Sequence, residues 1–316
     1  MPRAISANMT ALLLSVISAA LATASLAAQP ALSPVPGSER AWDVTCDIPV
    51  PAFPQGRLSD FAVSIPSRCA ASAVDPRSTR ATSQTGGALT ATLAGEDSEP
   101  SRPLMLSGPG VSASPVVEVS FTMRIWNTEI DERIARARTW PEAGWPREVL
   151  PYLQPDARVQ SQLFSVRSFA HSAVGPDPRA QSPYELAKRL AATAIDHFRN
   201  MPSKRAPGAD ATASVLDRVI RARAADNEEL PLLLCALYRA VGLPARVVSG
   251  LDVGNAESGV ALPCHREWVE FLLPGADENS DPEWIPVDIV RQRDFSSRGP
   301  SLANPWPWFG NNMDSN

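Results

Sequence analysis

Leu237-Tyr238-Arg239-Ala240-Val241-Gly242-Leu243-Pro244-Ala245-Arg246-Val247-Val248-Ser249-Gly250 is the stretch on which the reading of this chain turns. Its first half closes an amphipathic helix. Leu230, Leu233, Leu234, Leu237 and Val241 recur as one apolar stripe, and the helix opens at Asp226 or Asn227. Glu228 and Glu229 then fall in the first turn, where carboxylates favour the helix dipole. Gly242 can take the left-handed conformation that ends a helix, and Pro244 cannot continue one. The second half, Arg246 to Leu251, reads as a strand.

Working outward, Ser182-Pro183-Tyr184-Glu185 is a capping box with proline at the first helical position, followed by Leu186, Leu190, Ala194 and Phe198 at helical spacing until Pro202. A second helix opens at Ser214, with Val215, Leu216, Val219 and Ile220 as its stripe. Beyond the quoted passage, Glu267–Leu272 predicts a strand, Pro274-Gly275 a turn, and Trp284–Asp288 a returning strand. Helices followed by strands, without βαβ alternation, predict an α+β fold with helices packed on an antiparallel sheet.

Upstream the texture is different. Proline, at 31 of 316 residues, is about twice its average usage of roughly 5%, and much of it punctuates residues 29–150. Val117, Val119, Phe121, Met123 and Ile125 alternate with Glu118, Ser120, Thr122 and Arg124, the period of a strand with one buried face. Leu89, Ala91 and Leu93 suggest a weaker partner. Residues 29–150 therefore predict a β-rich domain, in which Trp126, Trp140 and Trp145 are packing residues. Residues 1–28 read as a secretory leader: Arg3, an apolar run from Met9 to Leu21, then small residues with cleavage positions after Ala24, Ala27 or Ala28. That predicts an exported protein, periplasmic or secreted, with membrane attachment only through an uncleaved leader.

Several classes of function are disfavoured. A net charge of -5 with no clustered basic stripe argues against nucleic acid, although all but Lys188 and Lys204 of the 29 basic residues are arginine. Metal-hydrolase and nucleotide-binding motifs are missing, as are C-x-x-C and Cys/His clusters, so no cofactor and no metal are expected. In an oxidising compartment Cys46 could pair with Cys69, and Cys235 with Cys264, among the three connectivities that four cysteines allow.

From about Pro151 to Gly310 the chain resembles the transglutaminase-like superfamily, whose fold is that of papain-type cysteine proteases. The quoted passage is similar to the family's Ala-Leu-x-Arg-Ala-x-Gly-Ile-Pro-Ala-Arg. Trp268-Val269-Glu270-Phe271 resembles the strand bearing the catalytic histidine, Trp284-Ile285-Pro286-Val287-Asp288 the strand ending in the catalytic aspartate, and Phe309-Gly310 a landmark of bacterial members. The resemblance implies a transglutaminase-like domain over residues 151–316 and a Cys-His-Asp triad. Its nucleophile position falls on Asn227 and its histidine position on Arg266, while Asp288 alone keeps the family residue. The family's Gly-(Asp/Asn)-Cys is Ala225-Asp226-Asn227 here.

A carboxamide is no thiolate, and a guanidinium does not accept a proton at neutral pH. On this reading Asn227 caps its helix, Arg266 pairs with Asp288, and the protein is a pseudoenzyme whose cleft binds a peptide or protein partner or serves as scaffold. The alternative is an acyl-transfer or hydrolytic enzyme that uses His265 as base with Asp288 and a non-standard nucleophile, which requires a bulge to turn His265 onto the Arg266 face. Calcium dependence does not carry over, because no acidic ligand loop matches.

Overall fold

A computed structural model describes residues 29–49, 57–83, 89–95, 101–109, 116–199, 214–252, 264–277, 280–296, 302 and 305–311, so the leader-like stretch lies outside the described residues. The chain divides into two compact units. One gathers Ile130–Val247 and Trp268–Gly310 with the residues up to Ser33; the other gathers Pro34–Glu129 with Val248–Glu267 and the residues from Asn311. Residues 130–150 thus go with the helical unit, where Ile130, Ile134 and Ala135 enter its core.

The β unit follows the period-2 pattern. In chain order the first strands are β1 (Leu32–Pro34), β2 (Arg40–Pro49), β3 (Arg57–Pro66), β4 (Arg68–Cys69), β5 (Ser72–Val74), β6 (Arg80–Ser83), β7 (Thr90–Leu93), β8 (Ser101–Pro109), β9 (Val116–Ile125) and β10 (Thr128–Ile130), of which β2 to β9 lie wholly in this unit. One sheet has the order β2-β9-β5-β4, with β6 also on β9; a second has the order β3-β8-β7. Val117, Val119, Phe121 and Met123 of β9 bury with Ile65, Leu104 and Leu106 from the second sheet, so the two sheets share one apolar layer. Residues 89–93 pair with β8 rather than with β9.

Cys46 and Cys69 are thiols here, not halves of a disulfide. Cys46 lies on β2 and Cys69 on β4, with β9 and β5 between them. Three inter-strand steps of roughly 4.8 Å separate the two, well beyond the Cα spacing of about 7 Å that a disulfide tolerates. Trp126 packs as expected, its Nε1–H donating to the Ala70 carbonyl at 3.1 Å.

The helical unit contains α1 (Glu132–Ala137), α2 (Phe164–Val174), α3 (Pro183–His197), α4 (Val215–Ala222), α5 (Glu229–Ala240) and α6 (Ile289–Phe295). The capping box at Ser182 forms, with the Glu185 amide donating to Ser182 Oγ at 3.3 Å. Helix α5 ends as its glycine demands. Gly242 takes φ +83°, its amide reaches the Arg239 carbonyl at 3.1 Å, and the Leu243 amide reaches the Tyr238 carbonyl at 3.0 Å. These two bonds form a Schellman motif that aims the chain into the next strand.

That strand is β11 (Ala245–Asp252), followed by β12 (Cys264–Leu273) and β13 (Glu283–Val287), in the sheet order β11-β12-β13. Antiparallel register sets Val269 opposite Val287 and Phe271 opposite Ile285. These four are fully buried, and Phe271 meets Tyr238 of α5 edge-on at 5.6 Å. The segment after α6 returns along β13: the Asp288 amide donates to the Trp308 carbonyl, and the Gly310 amide to the Pro286 carbonyl at 2.7 Å. Gly310 has no room for a side chain, since a Cβ there would stand 2.7 Å from Ile130.

Both arginines of the quoted passage are structural. Arg239 joins the end of α5 to the Ala245 carbonyl, the Gln154 carbonyl and the Asp156 carboxylate. Arg246 pairs with the wholly buried Glu270 at 2.8–2.9 Å and stacks on Trp284 at 4.0 Å. The segment at residues 31–32 is held by Glu283, whose two carboxylate oxygens accept the amides of Ala31 at 3.1 Å and Leu32 at 2.9 Å. Arg138 donates to the same carboxylate and, at 2.6 Å, to the Gln29 carbonyl. Trp140 and Trp145 pack edge-to-face and donate to the Gln181 and Gly242 carbonyls.

Candidate functional site

The start of α5 is the natural place to look, because a helix N-terminus gathers unpaired amides and positive potential. Asp226 rather than Asn227 caps it. The Asp226 carboxylate accepts the amides of Glu228 at 2.9 Å and Glu229 at 2.7 Å, and its carbonyl accepts the first helical bond, from Leu230. Glu229 reaches back to the Asp226 amide at 3.2 Å, completing a reciprocal box. With both amides taken, the exposed Asn227 carboxamide serves another purpose.

That purpose involves Arg293. Its Nη2 donates to Asn227 Oδ1 at 2.6 Å and its Nη1 to the Ala225 carbonyl at 2.9 Å. The guanidinium is almost wholly buried, and its Nε lies 3.5 Å from Asp294. Asn227 is therefore an acceptor pinned by a cation. Nothing in the sequence singles out Arg293. It becomes visible only once Asp288 is seen to start a short helix, accepting the Arg291 amide at 3.0 Å, so that α6 carries Arg293 back across the start of α5. Asp288 and Asn227 thus belong to one linked group, with Asp288 heading α6 and Asn227 held from its far end. Beside them Arg291 stacks on Trp308 at 4.5 Å.

The other two candidates lie on β12, in the segment that clusters with the β unit. His265 is exposed and Arg266 half-buried. Alternation places Arg266 on the strand face of Trp268 and Glu270, and His265 on that of Val269 and Phe271. The ladder from Val269 to Leu273 is regular, with no register shift.

Cys235, the thiol of α5, is fully buried two turns into the helix, and burial pushes it up to about 12. It is not bonded to Cys264, whose side chain lies outside the described residues. Among the described residues no group of His, Cys, Asp and Glu could hold a metal ion, and no helix is long and apolar enough to cross a membrane. This arrangement offers hydrogen bonds, fixed cations and a helix N-terminus.

Comparison with known proteins agrees with this architecture. Residues 173–289 match the transglutaminase-like superfamily. Among solved structures, a candidate cysteine protease from Cytophaga hutchinsonii is 16% identical over 82% of this chain and 79% of its own, with a TM-score of 0.55. The periplasmic domain of TgpA from Pseudomonas aeruginosa is 15% identical over 85% and 93%, with a TM-score of 0.39. No curated protein matches.

Proposed function

We propose that this chain, whose residues 173–289 match the transglutaminase-like superfamily, is an exported, catalytically silent relative that keeps the family cleft as a binding surface for a peptide or protein. The observation that carries this reading is the Arg293–Asn227 bond. Where the family's thiolate would stand, a carboxamide spends its oxygen on a buried guanidinium. Amide chemistry and the neighbouring guanidinium leave no group there to attack a carbonyl. Asp288 remains, accepting the amide that starts α6, a role it fills without any triad.

The test is a reversion. The Asn227→Cys, Arg266→His double variant is assayed for iodoacetamide reactivity at neutral pH and for amine incorporation into a glutamine peptide. Wild type is expected to release no ammonia from that peptide, and the double variant to gain thiol reactivity. Ammonia release or peptide cleavage by wild type, lost in Asn227→Ala, would overturn the reading.

A further inference from the structure

In the β unit, β2 stands at the margin of its sheet. All 10 of its residues pair with β9, in a register that never slips from Arg40 opposite Ile125 to Pro49 opposite Val116. The other side of β9 is taken by β5 and β6, and among the described residues no strand pairs with the free side of β2. The phase of the ladder tells which backbone groups face that side. Thr122 turns its carbonyl to the Asp75 amide, and Trp126 its amide to the Ala71 carbonyl, so the even residues of this stretch serve the β5 side. The odd residues of β9 then serve β2, where they meet Arg40, Trp42, Val44, Cys46 and Ile48. The amides and carbonyls of Ala41, Asp43, Thr45 and Asp47 therefore point outward along the open margin. Those of Ala41, Asp43 and Thr45 meet no partner among the described residues. No bulge interrupts this margin, and its one proline, Pro49, comes at the end.

The side chains define what could lie beside it. Trp42, Val44, Cys46 and Ile48 are only half-buried on the inner face, whereas Val117, Val119, Phe121 and Met123 of β9 are buried. The apolar layer thus continues to the margin and is incompletely covered there. The outer face is acidic. Asp43 and Asp47 are exposed on it, and Glu118 stands directly opposite Asp47. The nearby cations are engaged: Arg124 pairs with Glu39 at 3.4 Å, and Arg80 donates to the carbonyls of Arg77 and Thr79 at 2.6 and 2.8 Å. Arg40 stands at the far end of the strand. A second copy of the chain suits this margin poorly, because antiparallel pairing centred on Thr45 sets Asp43 of each copy against Asp47 of the other, and like charges placed opposite are destabilising.

We propose that the open margin of β2 binds an extended basic peptide as an added strand. The peptide carries lysine or arginine at alternate positions, toward Asp43 and Asp47, and apolar residues between them, beside Val44 and Ile48. Main-chain hydrogen bonds to Ala41, Asp43 and Thr45 supply affinity, and the alternate side chains supply specificity. This surface belongs to the β unit, and its failure would leave the reading of Asn227 untouched.

The test is fluorescence anisotropy with the full chain and a fluorescein-labelled peptide of alternating lysine and valine. Saturable binding is expected, with none for a peptide of alternating glutamate and valine. The lysine–valine peptide N-methylated along its backbone keeps its charge but loses its main-chain donors, and should bind about tenfold or more weakly. Thr45→Pro removes one outward amide at a position an edge strand tolerates, and should weaken binding likewise. The double variant Asp43→Asn, Asp47→Asn should weaken it about fivefold. Circular dichroism and melting temperature are measured alongside, and the asparagine variant decides should Thr45→Pro not fold. Absence of saturation, equal binding of the N-methylated peptide, or wild-type affinity in either folded variant overturns the proposal. So does a wild-type dimer in analytical ultracentrifugation that Thr45→Pro dissolves, which would give the margin to a second copy.

Discussion

Asn227 stands just ahead of α5 and Cys235 within it, and their surroundings give them opposite characters. Asn227 is exposed and held by Arg293; Cys235 is sealed among Leu233, Leu234 and Leu237. A thiol pushed up to about 12 by burial is protonated throughout the physiological range and also out of reach. Cys235 should therefore stay unmodified by iodoacetamide at pH 8 in the native protein and react once the chain is unfolded in guanidinium, as read by mass spectrometry of its peptide. Labelling in the native state would mean that α5 opens locally.

At the scale of the element, the start of α5 depends on the Asp226–Glu229 box. Asp226→Ala should lower stability by about 1 kcal/mol in a urea titration, the usual cost of a lost N-cap. Asn227→Ala should leave those amide bonds intact and disturb only the partner of Arg293. The helix itself was legible in its leucine spacing and in Gly242. The choice between two neighbouring capping residues was not read from the sequence, although a signal was present: glutamate three residues after Asp226, the mark of a reciprocal box. Arg293 gave no comparable signal. Its contact spans 66 residues and exists only because α6 folds back, which no local pattern encodes. For the same reason Arg239, Arg246 and Glu270 were recognisable as motif letters, while the pairing of Arg239 with Asp156 and of Arg246 with Glu270 was not.

Across the whole molecule, carboxylates tied to cations set the response to acid. Burial would raise both Glu132 and Asp156, but the Lys188 ammonium lowers the first, and the Val159 amide with the Arg239 guanidinium lowers the second, leaving both below their ordinary values. A carboxyl depressed in the folded state stabilises it fully above the unfolded value, about 4, and loses that contribution as pH falls through the lower folded value. The urea midpoint should accordingly be flat from pH 7 to about 5 and fall below about 4. Glu132→Gln should start lower at pH 7 and show a shallower fall. An unchanged slope would remove Glu132 from the account.

The Glu283 clamp also bears on the order of events during synthesis. The amides of Ala31 and Leu32 are made 252 and 251 residues apart from the oxygens that receive them. At roughly 5–20 residues per second, a nascent chain carries those amides for some 10–50 s before their acceptor exists. The helical unit cannot be finished piece by piece from its beginning. The Ala31 carbonyl can accept the Asp131 amide much earlier, but the clamp on the amides of Ala31 and Leu32 closes only after β13 has been made.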